Sequence, residues 1–357
     1  MRIKRDFIGM FDGIKGILML LIVLVHHVTF ADAVESRGAA DGLIYFFRYS
    51  VDMIALFFIC AGYSAIPVKD LKTYVKRQGK LLLTPYFLVM VACVLLASVL
   101  TLCQGRFRVQ EISTRVLAFL YGSVHPFELF GRVWVAAVVA MWFLPTLFWG
   151  NLLQQLFLRV SNRKLAQTCL WALVAAAVAF PSAQKLPVPW FLVQGCTALG
   201  FLEIGRLLKK SKLLFKPLNP WFLTAAVGLW AWLHWRSEAN VASNFWSFWM
   251  LDYIGGAAFA VAALQLYLAS GLAAARIMEP FAYIGRHSLY FLCIHGTELL
   301  AFPWVAELRP ELLALPVPVG TAVWLLFLAR VAVATMGCMI LVRIQNHLLR
   351  KKRLCKE

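Results

Sequence analysis

Apolar stretches about as long as a bilayer is thick recur along this whole chain, near 11–30, 46–66, 81–103, 133–155, 165–180, 188–208, 220–236, 245–270, 280–302 and 318–345. A helix needs about 20 mostly apolar residues to cross the hydrocarbon core. Backbone in lipid must also satisfy its own hydrogen bonds, which leaves helices or closed barrels. The expectation is an all-α integral membrane protein with about ten transmembrane helices. Composition points the same way: 62% hydrophobic and 15% charged residues, against about 45–50% and about 25% in soluble domains.

The basic residues orient these spans. Of the 35 lysines and arginines, 23 fall at 2–5, 68–80, 158–164, 206–216, 276 and 343–357, which alternating spans put on one side. Arg37, Arg106, Arg108, Arg115, Arg132, Lys185, Arg236 and Arg309 fall on the other, while Lys15, Arg48, Arg286 and Arg330 lie within spans. The positive-inside rule then makes both termini cytoplasmic in an inner, multi-pass cell membrane protein. The net charge of +18 is thus spread over the ends of spans rather than gathered on one folded face. That argues against nucleic acid as a partner and for membrane lipids. The basic tail, 346–357, with Arg350-Lys351-Lys352-Arg353, suits contact with anionic lipid as well as simple anchoring.

Lys4-Arg5 ahead of an apolar run, with Ala31-Asp32-Ala33 behind it, has the look of a cleaved leader. Lys15 and two histidines inside that run, and nine further spans, argue against cleavage. The longest polar interval, 104–132, carries its own apolar patch from Val116 to Tyr121, so the chain reads as one polytopic domain over 1–357. The cysteines lie mostly in spans and form no C-x-x-C pair, as expected of apolar packing residues rather than a metal or redox site. No P-loop is present, which argues against an ATP-driven pump.

The first span carries the chemistry. Lys15 and His26 are eleven residues apart, three helical turns plus about 20°, so both project from one face roughly 16 Å apart along the axis. Ionisable groups inside a membrane helix are expensive and usually face a protein interior or a watery path. Asp12, three residues before Lys15, is a natural partner for it, with snorkelling to the interface as the plain alternative. His27 points about 100° away from His26 and is expected to pack elsewhere. In a late span, Ser288 and His295 share a face, with Glu298 three residues beyond His295; the bland role of His295 is a hydrogen bond to a neighbouring helix. Asp52, Glu203, Asp252 and Arg330 are further intramembrane ionisable groups, and an Asp252–Arg330 pair would lower the cost of both.

Five phrases in order carry a resemblance. Phe11-Asp12-Gly13-Ile14-Lys15-Gly16 through Val25-His26 resembles the opening helix of the acyltransferase family 3 membrane proteins, a basic residue, ten residues, then histidine. Leu56-Phe57-Phe58-Ile59-Cys60-Ala61-Gly62-Tyr63, the basic run Tyr74 to Tyr86, Met141-Trp142-Phe143-Leu144-Pro145 and Tyr283 to His295 resemble later elements of that family. The likeness spans about residues 6–345. It departs at Ala61, where the family has serine, and at Lys80, where an arginine is usual; lysine cannot offer a bidentate fork to phosphate.

The resemblance implies transfer of an acyl group, typically acetyl from acetyl-CoA as co-substrate with no bound cofactor or metal, to a hydroxyl of a sugar or lipid-linked glycan. His26 is then the candidate base or acyl relay and Lys15 its catalytic companion. Lys76, Arg77 and Lys80 would meet the CoA phosphates, and Asp12, Ser288, His295 and Trp142 would serve the acceptor or support the site. Imidazole, with an ordinary pKa near 6.5, suits deprotonation of an alcohol. Direct transfer and an acyl-enzyme are equally open, as are acetyl and succinyl, whose extra carboxylate would suit Arg48. A carrier or flippase, and a component of polysaccharide export, are the alternative classes; the chain shows no internal symmetry of the kind carriers have.

Overall fold

The computed structural model describes residues 8–35, 49–105, 108–129, 132–182, 184–301 and 319–354. Arg37, Arg48, Arg106 and Arg309 lie outside the described residues. Each predicted span contains a helical segment, and five helical stretches among the described residues are long and apolar enough to cross a membrane: Gly9–His27, Leu71–Cys103, Pro189–Ser211, Met250–Ala269 and Trp324–Leu348. The chain divides into two compact units, one made of its two ends, 1–45 and 273–357, and one of residues 46–272.

The end-built unit comprises α1 (Asp12–Glu35), α11 (Glu279–Arg286), α12 (Ser288–Ala301) and α13 (Val319–Leu354). α1 and α11 meet backbone to backbone. A Cβ on Gly16 would collide with the Phe281 carbonyl, and one on Gly285 with the Asp12 carbonyl, so only glycine permits this crossing. Replacing Gly285 by alanine should therefore lower thermal stability in detergent by about 1–3 kcal/mol, the usual cost of overpacking. Gly228, whose Cβ would meet nothing within 4 Å, is the control: alanine there should be neutral or stabilising.

The predicted 280–302 span is not continuous. It breaks at His287 (φ −107°, ψ 23°), whose N–H turns back to the Tyr283 and Ile284 carbonyls. α13 runs well past its apolar stretch, and the backbone of the basic tail is helical through Leu354.

The other unit holds α2 (Val51–Tyr63), α3 (Leu71–Gln78), a π-helical turn (Gly79–Leu83), α4 (Thr84–Cys103), α5 (Val109–Tyr121), a hairpin of β1 (Phe127–Leu129) and β2 (Val133–Val135), α6 (Phe143–Arg159), α7 (Arg163–Ala179), α8 (Leu192–Ser211), α9 (Pro220–Arg236) and α10 (Met250–Ala269). Caps explain several starts: Asp70 accepts from the Lys72 and Thr73 amides, Asn162 from Leu165, and Asn219 from Trp221 and Phe222 ahead of a helix-opening Pro220.

α8 is the hub, packed by α2, α6 and α7. Gly62 on α2 and Gly205 on α8 let those backbones touch, with Leu202 and Ile59 as the facing residues. Phe58 stacks on Phe143 at 4.9 Å and Phe201 on Tyr253 at 4.1 Å, so one aromatic column links α2, α6, α8 and α10.

One expectation changes in this unit. Residues 133–135 are a strand, not part of a span: Val-Trp-Val suits an extended pleat, and it pairs with Phe127–Leu129. A 3₁₀ turn at Val139–Trp142 leads into the α-helix that starts at Phe143, where Pro145 falls harmlessly in the first turn. The apolar patch of the 104–132 interval lies on α5, with Tyr121 donating to the Pro187 carbonyl and His125 within 2.8 Å of Ser243 beyond it.

Candidate active site

α1 carries Lys15 and His26, as its spacing predicts, and the unit built from the chain ends gives each a partner. Lys15 Nζ lies 2.8 Å from Asp12 Oδ1. Arg286, largely exposed, approaches the other Asp12 oxygen at 3.5 Å. Asp12 is thus a buried carboxylate between two cations at the Lys15 end of the helix.

At the other end His26 begins a chain of contacts. Its Nδ1 lies 3.2 Å from Nε2 of His295 on α12. His295 Nδ1 is 3.0 Å from Glu298 Oε2, one helical turn along. Glu298 in turn pairs with Arg330 of α13, whose Nε is 2.9 Å from Oε1, an ion contact rather than an aligned hydrogen bond, and whose Nη2 reaches Oε2 at 3.4 Å. Arg330 also extends Nη1 to within 3.5 Å of His27 Nδ1.

Burial is graded along this chain. His295, Arg330 and Glu298 are 0%, 2% and 6% exposed, whereas His26 is only half-buried. His27 packs elsewhere, as expected, with its ring 5.4 Å from Phe327 and 6.0 Å from Trp324, yet it is joined to the network through Arg330.

Other expectations fare differently. Arg330 pairs with Glu298, and Asp252, in the other unit, accepts the Phe248 amide at 2.6 Å. An arginine in lipid needs an anion within reach of its fork, and Glu298 on the adjacent helix supplies it. Both ring nitrogens of His295 are taken by His26 and Glu298, so Ser288, two turns away on the same face, is outside that chain. Asp52 accepts from Trp230 Nε1 at 3.2 Å, and Glu203 is held by Arg206 and Gln167; both look structural.

In the unit of residues 46–272, Lys76 and Lys80 line a groove of about 500 Å³ that continues past Thr84 to Phe87, Leu88 and Val91. Arg77 lies 5.8 Å over the Tyr74 ring instead. Lys80 occupies the π-helical turn, where an extra residue per turn re-aims side chains. Trp142 is buried, edge-on to Phe143 at 6.2 Å. The Trp-Phe-Leu and double-Phe phrases therefore meet in the aromatic core.

Sequence reading placed His295 near function but gave Glu298 and Arg330 no role. The available signal was the cost of an intramembrane arginine together with a glutamate one turn from a histidine.

Apolar helices that carry a contiguous imidazole–imidazole–carboxylate–guanidinium chain, three of its four members buried, mark a membrane protein with an ionisable cluster in its interior. A family model described as an acyltransferase domain matches residues 8–343, nearly the whole chain. The chain belongs to this acyltransferase family, and the resemblance read from the five phrases holds. Comparison with curated proteins and with solved structures gives no match.

Proposed function

We propose that this acyltransferase transfers an acyl group, most simply acetyl from acetyl-CoA, to a hydroxyl of a cell-envelope or exported glycan, with His26 as base or acyl relay. The observation that carries the reading is the graded burial of the site: the half-buried His26 heads a chain whose other members are enclosed. An alcohol reaching His26 would find a base whose far nitrogen is already engaged. The donor thioester would then be attacked either by the alcohol directly or by His26 itself. Lys15 is proposed to assist His26, and the basic set Lys76, Arg77 and Lys80 to hold the donor's phosphates from the cytoplasmic side, where the positive-inside rule expects such residues. Membership of an acyltransferase family removes the carrier and export-partner readings as the primary activity.

The test is release of CoA from acetyl-CoA by the purified protein in lipid, with and without an extract of the host's envelope glycans. Release that needs the extract supports the reading. Release unaffected by any glycan fraction, or seen only with another acyl-CoA, replaces the acceptor or the donor respectively. Neutralising Arg77 and Lys80 together, as Arg77→Gln/Lys80→Gln, should raise KM for acetyl-CoA about tenfold with kcat little changed, as loss of uniform binding does. An unchanged KM would detach this basic set from the donor.

A further inference from the structure

Two charged residues in the end-built unit remain without a role in that reaction: Glu298 and Arg330, buried in apolar surroundings where a bare ion pair gains little over hydrophobic side chains of the same size. Their geometry is directed. Glu298 Oε2 sits at His295 Nδ1, and a carboxylate can only accept, so His295 carries its proton on Nδ1. His295 Nε2 is then a lone pair, 3.2 Å from His26 Nδ1. Two lone pairs would repel there, so His26 carries its proton on Nδ1 too, and its Nε2 is left with a lone pair. Arg330 fixes the carboxylate from the far side at both oxygens, as outer partners of ligating or catalytic histidines commonly do.

We infer that Glu298, clamped by Arg330, is a positioning residue that sets the tautomers of His295 and His26 in series and so makes His26 Nε2 the basic atom. The inference rests on the reading of His26 as the base. In the direct route, the acceptor hydroxyl gives its proton to His26 Nε2 as its oxygen bonds the thioester carbon. The His26 Nδ1 proton can shift to His295 Nε2, placing the positive charge beside Glu298. When the carbon–sulfur bond breaks, the protons move back and His26 Nε2–H protonates the departing thiolate, giving ester and CoA. The arrangement extends the serine-protease logic by one imidazole: a buried carboxylate orients and stabilises an imidazolium without itself being protonated. Glu298 is 3 residues from His295, but Arg330 is 32 residues from Glu298 and His26 is 269 from His295, so three helices must pack correctly before the relay exists.

The test combines a spectroscopic and a kinetic arm. Nitrogen-15 NMR of histidine-labelled protein in lipid, with His26 and His295 assigned by their loss in His26→Ala and His295→Ala, should show both rings as the Nδ1–H tautomer. Glu298→Gln should abolish that single signature at His295 and lower kcat about 100-fold with KM for acetyl-CoA within about twofold. Because Glu298→Gln leaves Arg330 buried without its anion, the double variant Glu298→Gln/Arg330→Met is the folded reference, and it should stay about as slow. An Nε2–H tautomer at either ring in the wild type, or wild-type kcat in the double variant, would overturn the inference. If His26→Ala itself keeps full activity, the reading of His26 fails instead, and the tautomer spectra still decide the role of Glu298.

Discussion

Replacing His26 by alanine should reduce glycan-dependent CoA release by about 10²–10⁴-fold, the range that general-base catalysis contributes, while the protein still folds and inserts. Activity and stability should separate because of where His26 sits. It is half-buried at the head of the polar chain, and its one contact with that chain, to His295 at 3.2 Å, leaves His295 still bonded to Glu298 when it is lost. Truncation there opens space at an already accessible edge and orphans no buried charge. Thermal unfolding in detergent and size-exclusion behaviour are the checks on folding; CoA release is the check on chemistry. His27→Ala makes a useful contrast. That ring is fully buried against Trp324 and Phe327, so its removal should lower stability, as core truncations do, more than it lowers the rate per folded molecule. Equal rates for wild type and His26→Ala would remove His26 from the chemistry.

The second large effect is on stability, and it is non-additive. Removing either Glu298 or Arg330 takes the opposite charge from its ion-pair partner in a site only a few per cent exposed, which costs about 3–5 kcal/mol for buried pairs in general. Arg330→Met and Glu298→Gln should each show a loss of that order in thermal or denaturant unfolding. The double variant Glu298→Gln/Arg330→Met removes both charges and should recover most of it, because apolar or neutral replacements of a buried pair are often close to neutral. A double variant as unstable as the sum of the singles would mean that the two side chains do not interact. Recovered stability with activity still depressed is the pattern expected if the pair is retained for the reaction rather than for the fold.

Much of the scaffold was legible because it is local. A bilayer-length apolar run leaves its backbone little choice but helix, and each of the ten predicted stretches contains one. The alignment of Lys15 with His26 on one face, and the Asp12–Lys15 pair, follow from 3.6 residues per turn and are present. The family phrases read from the sequence agree with the match over residues 8–343. Where local rules compete, the reading slipped. Val133–Val135 was counted into a span for its apolarity, but its β-branched residues pair with Phe127–Leu129. The helix ends and restarts at His287, within the polar triplet Arg286-His287-Ser288, a mark that the apolar average over 280–302 hides. The π turn at Gly79–Leu83 lacks a compositional mark.

Partner choice was the part that helical periodicity does not reach. Asp252 and Glu298 are equally plausible anions for Arg330 on charge alone. Packing of α12 on α13 makes Glu298 a partner, while Asp252 accepts from the Phe248 amide. The glycines offer the same lesson: Gly16, Gly62, Gly205 and Gly285 are ordinary small residues in the sequence, and each proves to be a point where two helix backbones touch. The sequence by itself determined that this chain enters a membrane as helices and that the first of them carries a histidine and a lysine on one stripe, because hydropathy and helical pitch act within a single segment. Only the tertiary structure decided that residues 1–45 and 273–357 form one unit and that His26, His295, Glu298 and Arg330 stand in line, because a desolvated charge takes whichever counter-charge long-range packing brings within hydrogen-bonding distance.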